Sequence, residues 1–170
     1  MIWRTWFVIT VLTVGTFAQR NIGAKEPQFT DCPAPVVPRH LSAAPRFSTP
    51  GQRKFRTMIR DWTKKGPNFA GHYTIAEWGC GTGCEQIAIV DNESGNVYEG
   101  PFGKLPRALV CLGANVEDET GIFYHADSAL LIVRGCPRWG QCATYYYLWK
   151  EGHFKLLRKT PMKMIFGCEP

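Results

Sequence analysis

The chain is predicted to fold as a mainly β domain of the α+β class. An antiparallel meander would form a small sandwich or open barrel, with one N-terminal amphipathic helix packed on it. Three observations lead there. From residue 68 onward, β-branched and aromatic residues alternate with polar ones at a period of two between turn signals. Just before that, Phe55, Met58, Ile59 and Trp62 recur at helical spacing. Seventeen glycines, twelve prolines and seven cysteines in 170 residues favour short strands, tight turns and covalent staples over a helical bundle. A content of 45% hydrophobic and 13% aromatic residues excludes a disordered or collagen-like chain, and the pattern is not that of a polytopic membrane protein.

The elements follow in order. Residues 1–18 combine Arg4, an apolar run over 6–14 and the small-residue ending Thr16-Phe17-Ala18, the pattern of a cleaved signal peptide. A run of nine residues falls short of the roughly 20 needed to cross a bilayer as a helix. No stable membrane span is therefore expected after cleavage, although retention as a short anchor stays open. Residues 19–46 contain Pro27, Pro33, Pro35, Pro38 and Pro45 with little periodicity and read as an extended arm. Residues 47–170 then form a single disulfide-stapled, β-rich domain. Thr49-Pro50 supplies an N-cap and a first-turn proline for the helix, and Gly66-Pro67 ends it.

Strands are predicted over residues 72–78, 85–90 and 97–99, the last two joined by a turn at 91–96. A weaker strand at 108–112 and an acidic loop lead to another at 122–124. Three further strands cover 129–134, 143–150 and 153–158. The Tyr124-His125-Ala126-Asp127-Ser128 segment and the strands after it resemble a propeller blade. Seven or eight strands would make only two blades, however, and a closed propeller needs about four.

Charge is placed unevenly. The chain carries 20 Lys plus Arg against 14 Asp plus Glu. Loss of Arg4 with the leader would leave 19 basic and 14 acidic side chains. Arg53, Lys54, Arg56, Arg60, Lys64 and Lys65 against Asp61 already account for that surplus of five. Such a stripe suits either a solvated helix face or an acidic partner. Export argues against nucleic acid as that partner.

An exported chain meets an oxidising compartment, so the cysteines read first as disulfides. Cys136 and Cys142 flank a hairpin loop, and Cys80 and Cys84 bracket Gly81-Thr82-Gly83. Cys32 and Cys168 could tie the terminal segments together, leaving Cys111 as a buried thiol. A rival assignment makes Cys80, Cys84, Cys136 and Cys142 a four-thiolate zinc site, although their spacings are looser than those of most zinc ribbons. Neither a metal nor a cofactor is expected.

Two blocks stand out: Phe69-Ala70-Gly71-His72-Tyr73, and Trp78-Gly79-Cys80-Gly81 with Cys84 close behind. They resemble a family of exported bacterial proteins marked by the same two blocks, with a likeness running from about residue 53 to about 158. The resemblance implies a location in the bacterial envelope and no particular reaction.

Two functional readings follow. In the first, the protein is a secreted or periplasmic, non-enzymatic binding module whose partner is an envelope protein or glycan. Contacts would come from Gly81, Thr82 and Gly83 and from Arg138 and Trp139 on the second stapled loop. The aromatic row Tyr145, Tyr147 and Trp149 reads as core or, if exposed, as a stacking surface. In the alternative, the protein is a cysteine-dependent hydrolase of peptide or peptidoglycan material. Cys84 would be the nucleophile, His72, His125 or His153 the base, and Glu77 or Glu85 the orienting carboxylate. His72 also reads as a hydrogen-bonded structural histidine.

Overall fold

The computed structural model describes residues 25–37, 42–105, 110–111, 120–137 and 142–162. The expected signal segment, Cys168, Arg138 and Trp139 lie outside them. The described residues are mainly β, with two antiparallel sheets and no closed barrel among them. No helix among the described residues is long and apolar enough to cross a membrane.

The helical segment forms where capping chemistry places it, but in two pieces. Helix α1 spans Pro50–Lys54 and α2 spans Arg56–Thr63. Thr49 closes a reciprocal capping box with Gln52: its hydroxyl accepts from the Gln52 amide at 3.2 Å, while the Gln52 side chain accepts from the Thr49 amide at 3.3 Å. Gln52, 2% exposed, also donates to the Val97 carbonyl at 3.1 Å, pinning the helix to the sheet. Thr49→Ala is expected to cost about 1 kcal/mol of stability, measurable by urea unfolding.

The single continuous helix read from the sequence breaks at Phe55, whose φ of −103° and ψ of 17° leave helical geometry. The Phe55 ring meets Trp78 at 5.0 Å between centroids. Ile59 is buried and Phe55 and Trp62 are half-buried, whereas Met58, expected on the apolar stripe, is 49% exposed. All six basic residues of the stripe are exposed, as a solvated outer face requires. Lys64 pairs with Asp61 at 2.9 Å, and Lys65 lies over the Trp62 ring at 3.7 Å.

The first sheet holds β1 (Tyr73–Gly81), β2 (Cys84–Asp91) and β3 (Val97–Glu99). The second holds β5 (Gly121–Tyr124), β6 (Leu130–Pro137), β7 (Ala143–Lys150) and β8 (His153–Pro161). A two-residue strand β4 (Val110–Cys111) pairs with β2 on one side and β6 on the other, linking the sheets. The expected 108–112 strand is thus shorter in its described part, while β1, β6 and β8 run longer than alternation suggests.

Alternation on β1 puts Thr74, Ala76 and Trp78 on the helix side and Tyr73, Ile75 and Glu77 on the other. Both faces are covered. The helix side packs under α2, and the opposite side meets the second sheet through Tyr73 on Trp149, 5.2 Å between ring centroids. Tyr145 and Trp149 are 8% and 5% exposed, so the aromatic row of β7 is core.

The Phe69-to-Tyr73 block is a structural joint. Phe69 is fully buried beside Tyr124, Trp149 and Phe154. The next two amides leave the core to donate to the loop ahead of β6: Ala70 to Ser128 O at 3.1 Å and Gly71 to Ala126 O at 2.7 Å. Gly71 O accepts in turn from Val37 of the N-terminal arm at 3.4 Å. The arm lies on the domain at several points. Its 3-10 turn Phe29–Asp31 sits where Ser128 Oγ donates to Phe29 O, and farther on Ala43 and Arg46 donate to Asn92 O and Gly95 O.

Candidate functional site

Strands β1 and β2 make a hairpin whose base is locked by Trp78, 7% exposed, donating from Nε1 to Gln86 Oε1 at 2.9 Å. Beyond Trp78 the chain emerges into solvent, and residues 79–83 are all exposed. Cys80 and Cys84 are disulfide-bonded with Cα atoms 5.1 Å apart, closing the tip into a small ring. Gly81, with φ of 140°, adopts backbone that side-chain-bearing residues rarely reach, and a Cβ there would meet nothing within 4 Å. Gly81, Thr82 and Gly83, singled out from the sequence, therefore form an accessible and conformationally restricted tip.

The second predicted staple is also present. Cys136 and Cys142 are bonded with Cα atoms 4.0 Å apart. Arg138 and Trp139 lie outside the described residues, but both ends of their loop are placed. Strand β4 fixes the relation between the loops: Cys111 pairs with Cys84 on one side and with Cys136 on the other. Two strand spacings of about 4.8 Å put the roots of the two stapled loops roughly 10 Å apart at one end of the molecule. The same four cysteines leave no thiolate for the zinc arrangement.

Beneath the stapled end, facing inward between the sheets, lies a pair of carboxyl groups. Gly79 pairs with Glu85 and Glu77 with Ile87, so Glu77 and Glu85 occupy diagonal positions on one face. Their carboxyl groups are hydrogen-bonded to each other. Tyr124, reaching over from β5, donates its hydroxyl to Glu77 Oε2 at 3.3 Å. The Glu85 Oε2 atom is shielded from solvent and has no donor facing it.

Burial pushes the Glu77 carboxyl up to about 8, the hydrogen bond and negative charge of Glu85 add to the rise, and the Tyr124 hydroxyl opposes it. Burial, followed by the charge on Glu77, also drives the Tyr124 phenol far above its ordinary value. Glu77 is therefore the member of the pair that burial and its neighbour's negative charge favour in the protonated form. Hydrogen bonds linking Glu77 to Glu85 and to Tyr124 thus connect β1 with β2 and β5.

The residues of the hydrolase reading are not brought together. Cys84 is in a disulfide, and His72 precedes the opposite end of β1, where Tyr73 pairs with Asp91 while Gly81 pairs with Cys84. Eight residues of strand separate those ends by roughly 25 Å. Glu77 lies midway. His153 opens β8 at the end of β7 opposite Ala143, and exposed His125 stacks on Phe29 at 3.9 Å beyond the far end of β5. None of the three histidines accompanies the stapled loops.

His72 fits its structural reading. Its ring packs on Tyr73 at 4.1 Å, its Nε2 is 3.8 Å from Asp91 Oδ1, and its carbonyl accepts from Asn92 at 2.9 Å. His72, Asp91 and Glu93 lie within 4.8 Å of one another, the one candidate metal-ligating group among the described residues. Asp91 is already occupied, accepting from the Glu93 and Ser94 amides and from Ser94 Oγ at 2.6 Å. Burial raises its pKa, yet these hydrogen bonds and the neighbouring His72 prevail and hold it below the usual carboxylate range. The trio frames the β2–β3 turn. Cys32, expected to pair with Cys168, is a free thiol raised by burial and then by the charge of Asp31.

Sequence reasoning gave Glu77 and Glu85 only as orienting groups for a catalytic cysteine and gave Tyr124 no site role. The signal available was the hairpin register: glutamates three residues before Cys80 and one after Cys84 must share a face once that loop closes tightly. No known protein family, curated protein or solved structure matches the chain.

Proposed function

We propose that this protein is an exported, non-enzymatic binding module of the bacterial envelope that contacts its ligand with the stapled end. The observation that carries this reading is the pairing of β4 with both Cys84 and Cys136, which converts two loops distant in sequence into neighbours. Each is closed by a disulfide, so little conformational entropy remains to be lost when a ligand docks. Two disulfides are compatible with export into an oxidising compartment. An envelope protein or a glycan of the cell wall is the class of partner that such a location offers.

The test is cosedimentation of the mature protein with purified envelope fractions and with isolated peptidoglycan. Gly81→Asp and Trp139→Ala are each expected to reduce the bound fraction about fivefold, the loss of a contact worth about 1 kcal/mol. Lys155→Ala, on exposed β8, should bind as the parent does. Equal retention of all three variants would remove the stapled end from consideration as the binding surface.

A further inference from the structure

The α1–α2 segment concentrates positive charge. Arg53, Lys54, Arg56, Arg60, Lys64 and Lys65 are all exposed, and Asp61 is the one acidic side chain in residues 50–65. Arg56, Arg60 and Lys64 recur every fourth residue along α2 and its C-cap, so they form one ridge. Of the six cations, only Lys64 is ion-paired among the described residues, and its pair with Asp61 is open to solvent on both sides. The other five are held by neutral groups. Arg53 donates to the Phe47 and Ser48 carbonyls at 3.2 and 3.3 Å, and Arg56 to the Arg53 carbonyl at 3.3 Å. Lys54, Arg60 and Lys65 lie over the rings of Phe55, Phe47 and Trp62. Their charge is oriented but not neutralised.

The ridge borders a recess. Between the arm at residues 42–45 and α2 lies a cavity of about 250 Å³ whose helical wall is Arg60, Thr63 and Lys64. Two cations and no carboxylate line it. That volume lies below the roughly 300 Å³ at which pockets for drug-sized ligands begin, and suits a single polar head group. On the same helix Met58 is 49% exposed, and Trp62, four residues on, is half-buried beneath Lys65. Cations flanking an exposed apolar side chain and a tryptophan are the composition of a helix that lies in a bilayer interface.

We propose that this helical face docks on an anionic phospholipid surface, with the phosphate of one head group seated in the recess between Arg60 and Lys64. Charge complementarity carries the assignment: a surplus of five positive charges lies along about 20 Å of helix, and each Lys or Arg held near an anionic leaflet adds to the attraction. A dissolved polyanion would use the same charge but leave exposed Met58 without a role. The inference goes beyond the stapled-end reading, because the surface is a different one. Lipid vesicles hold neither protein nor glycan, so the two readings fail separately.

The full mature chain is cosedimented with vesicles of phosphatidylglycerol and phosphatidylcholine in equal parts, and with phosphatidylcholine alone, at 50 and 300 mM salt. Binding is expected on the mixed vesicles at low salt, at least tenfold weaker at high salt, and absent on phosphatidylcholine. Arg60→Ala should weaken it about fivefold, whereas Arg60→Lys, which keeps the charge, should bind as the parent does. Met58→Ser, which removes the apolar contact, and Ala44→Gln, which adds a neutral side chain to the recess wall, should each weaken it about threefold. Lys155→Ala, an exposed cation on β8, should have no effect. Equal sedimentation with both vesicle types, indifference to salt, or equal effects of Arg60→Ala and Lys155→Ala overturns the docking face. Equal losses in Arg60→Ala and Arg60→Lys overturn it too, assigning the effect to packing on Phe47. Indifference to Met58→Ser, or retention on isolated anionic wall polymer but not on vesicles, overturns the lipid assignment. Unchanged binding by Ala44→Gln removes the head group from the recess.

Discussion

Gly71→Ala is expected to destabilise the domain by about 3 kcal/mol, lowering Tm by roughly 10 °C for a chain of this size. Two effects combine. The backbone at Gly71 has φ of 84°, where a Cβ is strained, a cost of about 1–2 kcal/mol. The added Cβ would also lie 2.3 Å from the Pro35 carbonyl oxygen and 3.3 Å from its carbon. That neighbour is backbone of the N-terminal arm and cannot rotate away as a side chain could. The arm would have to lift, losing the Val37-to-Gly71 hydrogen bond and exposing the loop that the Gly71 amide holds. Calorimetry gives the Tm, and limited proteolysis should cut the arm of the variant sooner. Gly81→Ala is the control: its φ of 140° is also unfavourable, but open space surrounds it. A loss near that of Gly71→Ala would mean that the clash with the arm contributes little.

Glu77→Gln is expected to stabilise the protein by an amount that grows with pH. In the folded chain the Glu77 proton is retained up to about 8, against 4.5 for an ordinary glutamate. Between those values the unfolded chain releases a proton that the folded chain keeps. Rising pH therefore favours unfolding across the window, with no further change above it or below it. Glutamine does not titrate, and its amide can donate to the solvent-shielded Glu85 Oε2. Parent and variant should match near pH 4.5, with the variant more stable by about 1–2 kcal/mol at pH 8. That figure lies below the ideal linkage value because Glu77 is only half-buried and partly screened by solvent. Urea unfolding at pH 5, 6.5 and 8 measures the divergence. Parallel stability curves would mean that the carboxyl pair does not hold its proton.

Local signals were legible where the local rule and the tertiary outcome agree. Thr49-Pro50 marked the start of the helical segment because capping depends on residues three or four apart, whereas α2 ends at Thr63 with Lys64 as its C-cap, ahead of the expected stop at Gly66. Cys80 with Cys84 and Cys136 with Cys142 were readable because a short loop keeps its ends within disulfide reach. The break at Phe55 was not, since the 55–62 spacing is compatible with a continuous helix and the Phe55 ring packs on Trp78 from another element. Met58 misled for a related reason: apolar spacing marks a stripe but does not say how far around the helix the sheet extends. The site was half legible. Gly81, Thr82 and Gly83 are exposed as a turn of that composition suggests. The partnership of Glu77 with Tyr124, 47 residues away, follows no sequence period.

Sequence alone determined the β-rich class, the helix N-cap, the two staples and the faces onto which residues of β1 alternate. Each depends on backbone geometry repeating over a few residues, so the rule travels with the chain. Tertiary structure decided which faces are buried, since α2 covers one side of β1 and the second sheet the other. It also decided that the stapled loops are neighbours, because β4 pairs with both β2 and β6. Strand pairing across tens of residues is selected by the burial of whole sheet faces, a collective quantity that no short window of sequence contains.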